Sequence, residues 1–374
     1  MQGQTFLVLL ASLAWSVAAA PAIESTEKAA GLHLIKISPE DPGKWVTDEQ
    51  KIREYTAKNI GFVDVTDIND VQVLAALSAP DSHEESLSVQ AVTYPSSVSH
   101  ATEVNPLLES VSNANPQSWL QTLTDFHNRH YNSSYGTEAG TWLFDVVKSV
   151  AAANPAITVA QFKHDSFDQP SIIAQIPGTS SNLVIVSAHY DSTGGNPTAR
   201  GPGADDNGSG VVAILEALRV LANAGGFQPR DTLEFHFYGG EEGGMLGSLE
   251  VFASYKAAGR TVLALVNQDM AGYSPSGKIS IFTDHVNSAL TAYARVVAEA
   301  YVGETTSGKC GYGCSDHQSA MVHGFPAAYV CDEPVRTSSP YIHSSRDTYE
   351  TIMWDAVLRH SQFTVAFLVE ASYL

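Results

Sequence analysis

Residues 239–244 read "GGEEGG", two adjacent carboxylates between glycine pairs. Neighbouring side chains diverge by about 100° in a helix and face opposite ways in a strand. Glu241 and Glu242 can therefore serve one site only from an irregular loop, the backbone that glycine permits. Taken alone, such a pair also reads as a solvated acidic turn. Further titratable residues stand where apolar runs end. His189 and Asp191 close "NLVIVSAHYD" (182–191), Asp269 closes "TVLALVNQDM" (261–270), and His343 lies in "YIHSSRDT", after "GFPAAYVCDEP" (324–334). Asp205 and Asp206 lie in "GPGADDNGSG", just ahead of an amphipathic run.

No Lys or Arg is directly beside these groups in their loops. Carboxylates gathered without a counter-charge repel and take up protons, and a divalent cation removes that problem. Histidine with Asp and Glu, and no thiolate, suits zinc, with other first-row metals as alternatives. The set holds more ligands than one catalytic zinc takes, so two metals sharing a bridging carboxylate are expected. His189 and Asp191 are two apart on a strand, hence on one side of it. Asp191 can then accept the second imidazole N–H and orient the ring. One glutamate of the pair would bind metal while its neighbour acts as general base.

The elements that must position these groups follow from periodicity. Helical spacing runs through 116–130, 136–152 and the closing residues 349–374. Val211, Val212, Leu215, Leu218 and Ala222 form one apolar face of a further helix, expected to stop at Gly225. Helices alternating with the apolar strands predict an α/β fold with a mixed, largely parallel central sheet sandwiched between helices. Such sheets bind ligands beyond the carboxyl ends of their strands, and the candidate residues fall at those ends.

The chain has 374 residues, 40 acidic against 20 basic, and a net charge of −20. That balance argues against nucleic acid or an anionic membrane as partner. Phe6–Ala20 is apolar, too short to span a bilayer, and ends in small residues before Pro21. It predicts a signal peptide over 1–20 and a secreted, extracellular protein; the run lacks a preceding Lys or Arg, and a membrane anchor is the alternative. Residues 21–92 are polar and acidic, give at most short helices, and become linker-like over 77–90. They are expected to form a propeptide and linker ahead of a catalytic domain at 93–374. "HEE" at 83–85 is no metalloprotease helix, because position 87 is Leu.

Cysteines number three: Cys310, Cys314 and Cys331. In an oxidising compartment "CGYGC" reads as a small-loop disulfide of local effect, with a zinc pair as the alternative, and Cys331 as buried and free. Asn132 in "NSS" is a candidate glycan site, whereas Asn207 in "NGS" falls in the metal loop and is expected to be unmodified. Ser315, Asp316 and His317 adjoin, but triad members come from separated loops and no Gly-x-Ser-x-Gly elbow is present.

In this order, "HYD", "GADDNGSG", "GGEEGG", "NQDM" and "IHSSRDT" resemble peptidase family M28, the co-catalytic dizinc aminopeptidases, and among them the secreted fungal leucine aminopeptidases. The resemblance covers roughly 94–374. It implies the zinc exopeptidase fold and two Zn2+ per chain. Asp206 would bridge, His189 and Asp269 would complete one site, and Glu242 and His343 the other. Glu241 would be the general base, Asp205 no ligand, and the Asp206–Asn207 bond cis. "CGYGCSDH" matches the family's disulfide-closed loop beside the substrate pocket, pairing Cys310 with Cys314. Met270, Tyr312 and Ile342 are the expected pocket walls. The implied substrates are peptides with a free N-terminus led by Leu or another bulky apolar residue, acted on by a monomer.

Two rivals share the motifs: a one-zinc glutaminyl-cyclase-like transferase and a binding domain without catalysis. The complete ligand set argues against both. A carboxypeptidase or amidohydrolase, with Arg336 or Arg346 holding a substrate carboxylate, is the remaining alternative.

Overall fold

The computed structural model describes residues 27–28, 30–58, 60–78 and 89–374. The expected signal peptide and the 83–85 motif lie outside the described residues. Ahead of the main body, β1 (His33–Lys36), β2 (Lys44–Val46) and β3 (Val63–Asp64) form an antiparallel sheet in the order β2-β1-β3. The helices α1 (Asp48–Glu54) and α2 (Val71–Leu77) accompany it. The sequence predicts only short helices here, so the sheet corrects that reading. Its strands are too short to show a period of two, and non-local pairing defines them.

The main body carries an eight-stranded sheet. Its strands are β4 (Thr158–Phe162), β5 (Ser171–Ile176), β6 (Ser180–His189), β7 (Asp231–Tyr238), β8 (Val262–Gln268), β9 (Ile279–Phe282), β10 (Thr305–Gly308) and β11 (Ala327–Cys331). Their order is β10-β9-β11-β8-β6-β7-β5-β4. The block β11-β8-β6-β7 is parallel throughout, and antiparallel pairing occurs only at β9–β11, β5–β7 and β4–β5. Strands β7, β8 and β11 are buried along their whole length, as expected when both faces of a parallel sheet are covered.

Helices α3 (Ala101–Leu108), α4 (Ala114–Asp125), α5 (Ser134–Ala151), α6 (Gly210–Ala222), α8 (Ser288–Tyr301) and α10 (Trp354–Ala371) contribute to one apolar core cluster. α7 (Leu246–Ala257) and α9 (His317–Val322) contribute to a second, with Phe252, Met321 and Phe325. Two sequence expectations need correction. α6 has no single apolar face, because it is enclosed by β6, α4, α5 and α10 and buries Ile214, Ala217 and Leu221 as well. It also ends at Ala222 rather than Gly225, where Asn223 Nδ2 donates back to the Arg219 carbonyl at 2.8 Å. Among the described residues no helix is long and apolar enough to cross a membrane.

Candidate active site

The four neighbouring strands of the parallel block each deliver candidates at their carboxyl ends. His189 is the last residue of β6, Asp269 follows β8, Glu241 and Glu242 follow β7, and His343 lies in the loop after β11. Asp206 comes from the turn Ala204–Ser209 that enters α6. Two groups result. His189, Asp206 and Asp269 each offer a ligand atom within 4.8 Å of one another, and so do Asp206, Glu242 and His343. Asp206 belongs to both, one oxygen to each: Oδ1 is 3.3 Å from His189 Nε2, and Oδ2 is 3.0 Å from His343 Nε2.

Neither ring nitrogen of His189 has a hydrogen-bond partner, nor do Glu242 Oε1, Asp269 Oδ1 and His343 Nδ1, all of them buried atoms. Buried polar atoms are normally satisfied, so orphans converging from four strand ends fit a pair of divalent cations held by nitrogen and oxygen. The electrostatics agree. Burial, reinforced by Asp206 and opposed by His343, pushes the Glu242 carboxyl up to about 8. Burial also drives Glu241 well above the carboxylate range, against the pull of His189. Burial alone would lower His343, but Glu242 and Asp206 raise it to about 10.

The supporting contacts are specific. Both Asp191 oxygens accept backbone N–H groups of the glutamate pair, from Glu241 at 3.1 Å and Glu242 at 3.0 Å. Asp191 Oδ1 also lies 3.4 Å from His189 Nδ1. One carboxylate thus fixes the glutamate loop and lies beside the imidazole. Asn207 fastens two ligand loops together: Oδ1 accepts the Met270 N–H at 3.0 Å, and Nδ2 donates to the Gln268 carbonyl at 2.8 Å. The Asp206–Asn207 bond is cis. Asp205 points away, accepting the Gly272 N–H at 2.9 Å.

Two supporting residues are not among the sequence candidates, although Asp347 lies within "YIHSSRDT". Asp347 accepts the N–H groups of Asp205 at 2.9 Å and Asp206 at 3.0 Å. Arg129, fully buried, donates to the carbonyls of Tyr190 at 2.7 Å, Gly203 at 2.8 Å, Leu123 at 3.1 Å and Pro202. Burial lowers its guanidinium to about 10, with Asp347 and Asp191 opposing. The carboxylates therefore do have a cation beneath them, although none adjoins them in sequence. Arg129 follows α4, far from every metal-capable motif, and only its "RH" neighbourhood with Asn128 could have hinted at it.

The site opens into a cavity of about 320 Å³. Met270, Tyr312 and Ile342 all line it. Cys310 and Cys314 form a disulfide that closes the loop carrying Tyr312, and Cys331 is free and buried. Asn132 is exposed between α4 and α5, whereas Asn207 is buried. Arg336 and Arg346 are exposed and do not line the cavity, and Arg346 stacks on Tyr341 at 5.5 Å. The consecutive Ser315, Asp316 and His317 diverge: Ser315 accepts from Asn267, and His317 stacks on Tyr329.

The sequence pattern of peptidase family M28 matches residues 171–368. Leucine aminopeptidase 1 of Arthroderma otae is 42% identical over 90% of this chain and 91% of its own. A probable leucine aminopeptidase of the same organism is 39% identical over 98% of this chain and 99% of its own. Among solved structures, the LapA aminopeptidase of Legionella pneumophila superposes with a TM-score of 0.77 at 26% identity, covering 91% of this chain and 93% of its own.

Proposed function

This chain belongs to peptidase family M28, and from that premise we propose that it is a dizinc aminopeptidase, releasing Leu and other bulky apolar residues from peptides with a free N-terminus. The observation that carries this reading is the pair of ligand groups sharing Asp206. His189 and Asp269 would hold one ion, Glu242 and His343 the other, with Asp206 between them. When bound, such ions lower the pKa of water toward neutrality and polarise the scissile carbonyl.

The chain's own residues supply the rest. Glu241 has its carboxylate at the cavity, 4.0 Å from His189 Nε2, and no place in either ligand group. It takes the proton of the attacking water and delivers it to the departing amine nitrogen. Asp191 keeps the Glu241–Glu242 loop and the His189 ring in register through its two oxygens. Met270, Tyr312 and Ile342 enclose the side chain of the residue to be released. Upstream, residues 1–20 serve as a signal peptide and 21–92 as a propeptide and linker, so the enzyme acts outside the cell. Asn132, exposed on its loop, is the glycan site of this reading.

Chelation tests the reading. Hydrolysis of leucine p-nitroanilide should vanish when metal is stripped and return when zinc is added. Metal analysis should find two zinc ions per chain; one ion would instead favour glutaminyl-cyclase-like chemistry. If the metal-loaded chain fails on the anilide yet cleaves substrates with a free carboxylate, the aminopeptidase reading is lost to the carboxypeptidase one.

A further inference from the structure

Asp191 holds the Glu241 and Glu242 N–H groups, but the loop that carries them begins earlier, at Gly239, and that end is held from elsewhere. The buried Gly239 N–H donates to Ser171 Oγ at 3.2 Å. Ser171 opens β5, and its partner is His164, from the loop between β4 and β5. His164 Nε2 lies 2.8 Å from Ser171 Oγ and accepts the Ser171 N–H at 3.1 Å. His164 Nδ1 lies 3.0 Å from Glu250 Oε2, on α7, the helix that follows the glutamate loop. These contacts assign the protons. A backbone N–H only donates, so Nε2 carries the lone pair and Nδ1 the hydrogen, which goes to the Glu250 carboxylate. The Ser171 hydroxyl then donates to Nε2, and its own lone pairs are left for the Gly239 N–H.

Glu250, His164 and Ser171 are connected in the manner of a hydrolytic triad. Ser171 and the His164 side chain are fully buried, however, so no substrate carbonyl reaches the hydroxyl. Resting on the aminopeptidase reading, we propose that Glu250, His164 and Ser171 are positioning residues for that reaction: their relay fixes where the glutamate loop leaves β7, and thereby where the Glu241 carboxylate stands. Packing around the relay leaves no slack. Phe167, stacked on His164 at 4.5 Å, approaches Gly240 so closely that a Cβ there would meet its ring at 2.8 Å. A Cβ at Gly247 would meet the Gly239 carbonyl oxygen at 2.1 Å, and both His164 Nε2 and Ser171 Oγ at 3.1 Å. Glu250 also accepts the Asp165 N–H at 3.3 Å, which ties the strand connection to α7. Loss of the Ser171 hydroxyl would leave a buried N–H unpaired. Gly239 and Gly240, the latter at φ 74°, have no side chains of their own to hold the loop in place.

The test compares the zinc-loaded full-length chain with Ser171→Ala, Glu250→Ala and Glu250→Gln on leucine p-nitroanilide, with zinc content and thermal midpoint measured on the same samples. Glu250 is partly exposed, so its two variants carry the test should Ser171→Ala fail to fold. Gln at 250 keeps an oxygen that can accept the Nδ1–H. A small displacement of a reacting group costs on the order of 10²-fold. Ser171→Ala should lower kcat per zinc-loaded molecule by about that factor, with KM unchanged. Glu250→Ala should lower it less, and Glu250→Gln should recover most of the loss. A merely structural role would lower the thermal midpoint and zinc content while each loaded molecule kept its kcat. That outcome overturns the positioning role, as does a change confined to KM or a Glu250→Gln loss as large as that of Glu250→Ala. Absence of anilide hydrolysis from the unmodified zinc-loaded chain would instead overturn the aminopeptidase reading beneath it.

Discussion

At the scale of single residues, the site divides labour among carboxylates that the sequence presents as equivalents. Glu241 and Glu242 are neighbours, yet only Glu242 enters a ligand group. Replacing Glu241 by Gln should leave zinc content intact and cut kcat by about 10²–10⁴-fold, the usual contribution of a general base. Glu242→Ala should lose zinc from one site, which metal analysis would read directly. Arg129 offers a stability test instead. Its guanidinium satisfies four buried carbonyls beneath the site. Arg129→Met would leave those carbonyls unpaired and the carboxylates uncompensated, and should lower the unfolding free energy by about 3–5 kcal/mol. Denaturant melts would show it as a fall in midpoint.

At the scale of elements, the packing of β1, α1 and β3 on one another depends on charge. His33 in β1 lies 3.1 Å from Asp48 of α1 and 2.8 Å from Asp64 of β3, and these contacts raise it to about 9 despite burial and the opposing Lys51. Burial would raise Asp64, but His33 and Lys51 hold it down at about 2. The sign follows by linkage. A raised imidazole stabilises the folded segment fully below about pH 6.5 and loses that stabilisation as pH climbs through 9. A depressed carboxyl stabilises it above about pH 4 and fails as pH falls toward 2. Amide hydrogen exchange across β1 should therefore be slowest between about pH 4 and 6.5, after correction for the intrinsic rate. Protection that rose from pH 6 to pH 9.5 would contradict this account. Within the body, α6 is buried on nearly every side: Leu215→Ala, at a fully buried position, should cost about 2–5 kcal/mol.

For the molecule as a whole, the strand ends gather more carboxylates than Arg129 alone can balance, and a bound cation would relieve their repulsion. Zinc at about 100 times its dissociation constant should add about 2.7 kcal/mol per site, if the unfolded chain does not bind it, and thermal melts with zinc or chelator should separate accordingly. The sequence by itself determined the α/β class and its largely parallel sheet, because long buried strands leave apolar runs, and the polar residues that interrupt them mark strand ends. It also yielded His189, Asp206, Glu241, Glu242, Asp269 and His343 as candidates, since side-chain type and loop position are local properties. Tertiary structure alone decided the distances at which they face each other, and that Asp191 braces the glutamate loop through both of its oxygens. It also brought in Arg129 and Asp347, whose roles arise from contacts across the fold. The β1–β3 sheet was equally invisible along the chain, because strands of two to four residues acquire their identity from the partners they pair with.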